Sequence, residues 1–260
     1  MRYLFLILVF ICNNSFALNI SASSAYLINE RTNEVLFSKN IRTPHLPAST
    51  TKLLTALIAY ENLKNKNKEI VILPTDTRVQ PSSVPLLIGE KVYTSELLKS
   101  ILIGSDNDSA MALSRYVGGS TKNFLVLMNS KCKELGCKNS NFINPHGLPA
   151  SGQYTTAYDL MLIFRAVLSY PELRKITATR SFELRTKVGK QIVKNHNRLL
   201  FSYKGMGSAK TGWTVKSRHT YAASVIRDNT ELLLVLLNSP NKWNDAKVLF
   251  DYGFSSSKTK

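Results

Sequence analysis

Strand-like alternation occupies both ends of this chain, and helical periodicity fills its middle. Near the N-terminus, SAYLINERTNEVLFSKN reads as two alternating runs around a polar turn at Glu30 to Asn33, a hairpin. Near the other end, SAKTGWT, HTYAASVIRD and TELLLVLLNS read as strands, the last two joined as a hairpin at RDNT. Between them, STTKLLTALIAYENLKNK places apolar residues at 53, 54, 57 and 58, which is helical spacing. TSELLKSILIGS, DNDSAMALSRYVGG, TKNFLVLMNSKCKELGC and TTAYDLMLIFRAVLSY read as further helices, the last stopped before Pro171. Short strand-like pieces sit near KEIVIL and GEKVYT, and NKWNDAKVLFDYGF reads as a terminal helix. The simplest packing is a five-stranded, mostly antiparallel sheet assembled from both chain ends, flanked by helices, with a helical subdomain inserted: an α/β chain of the α+β kind.

The 260 residues suit one large domain or two interleaved subdomains. Residues 1–17 read as a signal peptide: Arg2 is followed by an apolar run from Tyr3 to Cys12, and Ser15-Phe16-Ala17 supplies small residues at the cleavage positions. Residues 18–260 then form a single exported catalytic domain, placed in the periplasm or on the outer face of the envelope. No later segment is apolar over the ~20 residues of a membrane helix. The net charge of +17 is spread over scattered lysines rather than one stripe with interleaved aromatics, which argues against nucleic acid. It favours peripheral attraction to anionic polymer or membrane surfaces. Export permits a disulfide between Cys132 and Cys137. Five residues along a helix is an awkward reach unless the chain turns back after Gly136, so the pair reads as two free thiols, one buried. The four histidines are far apart with no HxxxH pair, and no metal or other cofactor is expected.

Three short motifs carry the chemistry. Ser49-x-x-Lys52 alone is weak, because SxxK occurs five times, beginning at Ser49, Ser130, Ser239, Ser255 and Ser257. The Ser49 copy opens an apolar helix, where three positions put both side chains on one face and free N–H groups can hold an oxyanion. Its ordinary reading is a helix cap. Ser105-Asp106-Asn107 follows Gly104 and has the same ordinary reading; Lys210-Thr211-Gly212 occurs once, in strand-like surroundings. In the order SxxK, SxN, KTG, with wide gaps, the three would meet in a cleft between sheet and helical subdomain.

This trio is shared by penicillin-binding proteins and class A β-lactamases. The chain resembles the low-molecular-mass penicillin-binding proteins that are D-alanyl-D-alanine carboxypeptidases, over about residues 22 to 254. NPHGLP, the helix TTAYDLMLIFRAVLSYPEL, NHNRLL and the terminal DAKVLFDYGF are similar to that family's segments. The family commonly has Ser-Gly-Asn where this chain has Ser-Asp-Asn, and His or an aromatic where Trp213 follows KTG. TVKSRHTYAAS replaces its usual Ala-Gly-containing stretch, which leaves sheet pairing there open. Many members carry a second β-rich domain and an amphipathic anchor helix, and neither is expected in this sequence.

The resemblance implies a β-lactamase/transpeptidase-like fold and a serine acyl-enzyme. Ser49 is the nucleophile, Lys52 its base once burial and a second cation, Lys210, lower its pKa. Ser105 relays the proton, and Asn107 orients Lys52 and the substrate. Lys210, Thr211, Gly212 and Trp213 bind substrate. The partners implied are a peptidoglycan stem peptide ending in D-Ala-D-Ala, and β-lactams. Glu172 and Glu183 lack the ExxLN context of a β-lactamase, so slow release of a penicilloyl adduct is expected. His146 reads as a loop-structuring residue, and His196 as a candidate cleft residue. The alternatives are a D,D-endopeptidase with the same site and, third, a β-lactamase; from another class comes a non-catalytic cell-wall binding protein on the same fold, and a basic polyanion binder is last.

Overall fold

The computed structural model describes residues 18–63, 67–79, 81, 84, 86–187 and 189–258. The predicted signal peptide lies outside them. The central sheet has five antiparallel strands in the order β2-β1-β9-β8-β7. β1 (Ser24–Asn29) and β2 (Val35–Lys39) form the N-terminal hairpin. β7 (Met206–Thr214), β8 (Arg218–Arg227) and β9 (Thr230–Ser239) come from the other end of the chain. The sheet is thus assembled from both termini, as the two sets of strand-like runs require.

β9 is central, and its apolar run serves both faces. Leu232, Leu234 and Leu236 pack with Ala246, Leu249 and Phe250 of the terminal helix α7 (Lys242–Lys258). Leu233, Val235 and Leu237 belong to the larger core of the helical side. The period of two sends alternate residues to opposite layers, so a strand buried on both faces reads as continuously apolar. The β8–β9 turn is Asp228-Asn229, with φ of 46° and 62°. Positive φ at both positions matches the right-handed twist of the flanking strands.

The helical side holds α1 (Lys52–Leu63), α2 (Thr94–Lys99), α3 (Asn107–Gly118), α4 (Thr121–Glu134), α5 (Ala157–Leu168) and α6 (Pro171–Thr177). β3 (Glu69–Val71) pairs with β4 (Lys91–Tyr93) in a small ribbon. Three elements are not among those expected. Pro171 ends α5 but also opens α6, because a proline is compatible with the first helical position. β5 (Ser181–Thr186) and β6 (Gly189–Lys194) form a hairpin in which Leu184 and Val193 are buried. β8 pairs without interruption along the KTG segment, from Lys210↔Ala222 to Thr214↔Arg218, which resolves the pairing that the unusual sequence left open. Because Leu234 is fully buried in the layer under α7, Leu234→Ala is expected to cost about 3 kcal/mol in denaturant unfolding.

Candidate active site

The nucleophile candidate lies on a strained turn. A 3-10 turn, Ala48–Thr51, runs directly into α1 at Lys52. The Pro47 carbonyl anchors it, accepting from Thr50 Oγ1 at 2.6 Å and from Thr220 Oγ1 of β8 at 2.8 Å. Ala48 is held at φ 47°, a conformation costing a non-glycine residue of order 1–2 kcal/mol. The Lys52 N–H goes to the backbone carbonyls of Ser49 and Thr50, and Ser49 Oγ accepts instead from Lys52 Nζ, so the ordinary reading of this serine as a helix cap does not describe it.

Lys52 is fully buried one turn along and joins three segments. Its Nζ stands 3.1 Å from Ser49 Oγ, 2.7 Å from Asn107 Oδ1 and 2.7 Å from the carbonyl of His146. Burial lowers its pKa to about 7, while the Asp106 carboxylate pulls it upward. The leading cause is therefore desolvation, and the expected repulsion between Lys52 and Lys210 falls on Lys210. Lys210 is itself held well below the usual lysine range by burial, then by the charges of Lys52 and Lys242.

Ser105 and Asn107 are presented by a change of helix type. α2 passes into a π-helical turn, Ser100–Gly104, which ends at Ser105 in the left-handed region at φ 62°. Asp106 then caps α3, accepting from Ser109 N at 2.8 Å. The cap is thus made by the aspartate, and Ser105 is left to accept from Lys210 Nζ at 2.8 Å. Lys210 also donates to the Thr211 carbonyl at 2.8 Å. Asn107 is fixed at its far end, Nδ2 donating to the Pro81 carbonyl at 2.6 Å.

The NPHGLP segment is a wall of this site. Gly147 has φ 92°, and a Cβ there would lie 1.8 Å from the Ala48 carbonyl oxygen. Asn144 Oδ1 accepts from Gly147 N at 2.7 Å, and Thr55 Oγ1 donates to the Pro145 carbonyl at 2.6 Å. The His146 imidazole accepts from Leu148 N at 3.1 Å, and only its backbone carbonyl meets Lys52. Burial and the Lys52 charge lower this histidine to about 4, which keeps it neutral. Asp159 accepts from Lys138 N, Asn139 N and Ser140 Oγ, well occupied as a loop anchor.

A cleft of about 730 Å³ opens over these groups, lined by Ser49, Ser105, Asn107, Thr211, Gly212 and Trp213 among others. A Cβ at Gly212 would come within 2.7 Å of Ser49 N, so only glycine lets the strand approach the turn this closely. His196, the candidate cleft residue, lines the cleft. Arg198, His219, Lys242 and Trp243 line it too and are absent from the sequence-derived site. Lys242 Nζ stands 3.0 Å from His219 Nδ1, and burial, then the Arg198 charge, lowers it to about 8. The available sequence signal was a lysine opening the last helix, beside a KTG-bearing strand pair. No acidic side chain lines the cleft among the described residues.

Residues 12–241 match the profile of the D-alanyl-D-alanine carboxypeptidase family of serine peptidases. The chain belongs to that family. It is 36% identical over 246 residues to the D-alanyl-D-alanine carboxypeptidase DacF of Bacillus subtilis, covering 92% of this chain and 63% of that one. It is 32% identical over 230 residues to DacB2 of Mycobacterium tuberculosis, covering 85% and 78%. The chain therefore spans just under two thirds of DacF and more than three quarters of DacB2. Among solved structures, a D-alanyl-D-alanine carboxypeptidase of M. tuberculosis superposes with a TM-score of 0.86 at 30% identity, covering 91% of this chain and 92% of that one. The Streptomyces K15 DD-transpeptidase superposes with a TM-score of 0.86 at 26% identity, covering 91% and 98%. The penicillin-binding/DD-peptidase fold is thereby established for this family member.

Gly147→Ala should cost about 3 kcal/mol in urea unfolding, from left-handed strain and overpacking against Ala48. Gly152→Ala shares the positive φ, at 80°, but meets nothing nearer than 3.9 Å, and should cost only about 1 kcal/mol.

Proposed function

We propose that this chain is an exported serine D-Ala-D-Ala carboxypeptidase that trims the terminal D-alanine from peptidoglycan stem peptides and is acylated by β-lactams. The observation that carries the reading is Lys52 Nζ, buried between Ser49 Oγ and Asn107 Oδ1, with Ser105 bound to Lys210 in the same cleft. An amine brought to about 7 is substantially neutral near physiological pH and can accept the Ser49 proton. Ser49 Oγ then attacks the carbonyl of the penultimate D-alanine. The oxyanion rests on the backbone N–H groups of Ser49 and Trp213, each such donor lowering the barrier by ~3 kcal/mol. The C–N bond breaks as Ser105 passes a proton to the departing amine, and Lys52 returns Ser105's proton. Water, deprotonated by the regenerated base, hydrolyses the ester and restores Ser49. The substrate's terminal carboxylate fits the basic end of the cleft, where Arg198, Lys210 and Lys242 gather with no acidic side chain among the described lining residues. β7 is the last strand of the sheet, so an extended peptide can pair along it.

Export is supported by the leader-like residues 1–17, and among the described residues no helix is long and apolar enough to cross a membrane. Among the described residues, the cleft lining offers a trapped β-lactam no carboxylate to activate water, and Glu172 is engaged elsewhere by Tyr60 Oη at 2.7 Å.

Incubation with a stem peptide ending in D-Ala-D-Ala should release D-alanine from the wild type and none from Ser49→Ala. Cutting of cross-linked dimers without that release would mean an endopeptidase. The absence of both, with no penicillin adduct by mass spectrometry, would mean a binding protein. The acid limb of kcat/KM should fall near pH 7, rate rising with pH as Lys52 loses its proton. Asp106→Asn removes the charge that raises Lys52 and should move that limb to lower pH; an unmoved limb would assign the titration to another group.

A further inference from the structure

The end of α4 brings two cysteines together. The helix closes at Glu134, Leu135 is its cap, and Gly136 turns left-handed at φ 88°. Gly136 N donates to the Lys133 carbonyl at 2.9 Å, and Cys137 N to the Cys132 carbonyl at 2.9 Å. These are the two reversed bonds of a Schellman ending, in which the residue two past the cap folds back over the third residue from the helix end. Those two places usually hold an apolar contact. In this chain they hold Cys132 and Cys137. The chain does turn back after the glycine, which removes the objection that five residues along a helix are too far apart. Both thiols are reduced; Cys132 is buried in the helical core and Cys137 is half-exposed above it. Cys137 Sγ also donates to the Asp159 carbonyl at 3.7 Å.

We propose that Cys132 and Cys137 are a redox-modifiable pair that closes into an intramolecular disulfide across the Schellman turn. The co-reactant is a disulfide oxidant. Its S–S bond is attacked by the Cys137 thiolate, the accessible one, and one oxidant thiol leaves. Cys132 then attacks Cys137 Sγ, and the second oxidant thiol leaves. Two protein thiols are oxidised, one oxidant disulfide is reduced to two thiols, and the protein's two thiol protons end on them. Hydrogen bonding to the Cys132 thiol, followed by burial, pushes the Cys137 thiol up, so closure is slow and equilibrium must be awaited. The crosslink would pin the start of the segment that runs on through Asp159's partners to His146, whose carbonyl holds Lys52. Closure in the cell rests on the export proposed above, whereas the chemistry of the pair does not.

The full chain carrying Cys12→Ser is equilibrated with oxidised glutathione, unfolded in the presence of an alkylating reagent, digested with trypsin and weighed. The result expected is a protein about 2 Da lighter than its reduced form, with residues 132–133 recovered disulfide-linked to residues 134–138. Addition of excess dithiol should return both fragments in alkylated form. In Cys137→Ser, Cys132 should remain alkylatable after the same treatment. Recovery of the two wild-type fragments unlinked, whether alkylated or each carrying glutathione, would overturn the proposal. None of these readings depends on peptidase activity, so failure here leaves the proposed function untouched.

Discussion

A lysine with no access to water is the constraint around which the rest of the site is arranged. Burying an ammonium is costly, and the cost is reduced either by pairing the charge or by shedding it. Lys52 is surrounded by neutral acceptors from three different segments: the turn before α1, the start of α3, and the NPHGLP wall. Its nearest carboxylate influence, Asp106, is spent on capping α3 and on Val84 N. The site therefore sets the pKa of Lys52 near neutrality by desolvation, with a carboxylate trimming the value in the other direction. Two residues of strained backbone lie around the same point. Ala48 and Ser105 both occupy the left-handed region, and Gly147 leaves no room for a side chain against the first of them. Strain is tolerated at this point because anchors at Pro47, Asn144 and Pro81 over-determine the backbone.

The fold was legible where one physical signal dominated a segment. The hairpins at Glu30–Asn33 and Asp228–Asn229 and the double-faced run of β9 could be read from alternation and turn chemistry alone. What escaped was marginal or doubly determined. β5 and β6 are mostly exposed, with single buried residues such as Leu184 and Val193, so their apolar alternation is faint. Pro171 announces the end of one helix and hides the start of the next. Within the site, Ser49, Lys52, Ser105, Asn107 and the KTG residues were accessible only as a trio, since each motif has a commoner use. The competing use of the SDN serine failed for a specific reason: Asp106 took the cap. Lys242, His219 and Arg198 were illegible, because a lysine at a helix start and a histidine within a strand announce nothing until the sheet brings them to one cleft.

The cleft's charge is lopsided. Three segments of the described lining contribute basic groups, at His196 and Arg198, at His219 and at Lys242, and none contributes an acid. Packing these basic groups together opposes folding; burial first, and then the neighbouring charges, lowers Lys210 and Lys242. That opposition is relieved when an anion enters, so the empty cleft is the less comfortable state of the pair. A ligand carrying a carboxylate is favoured by what it neutralises as much as by what it touches.

The two short contacts from Lys52 to carbonyl oxygens have a consequence for proton geometry. A neutral amine has two hydrogens and one lone pair. Asn107 Oδ1 and the His146 carbonyl, both at 2.7 Å, can accept but not donate, so each claims one hydrogen. The lone pair is left to the longest of the three contacts, toward Ser49. The amine is thus aimed by stoichiometry. Its orientation is fixed before any substrate arrives, and taking up a proton adds a third donor in the one direction still vacant, without any rotation of the side chain.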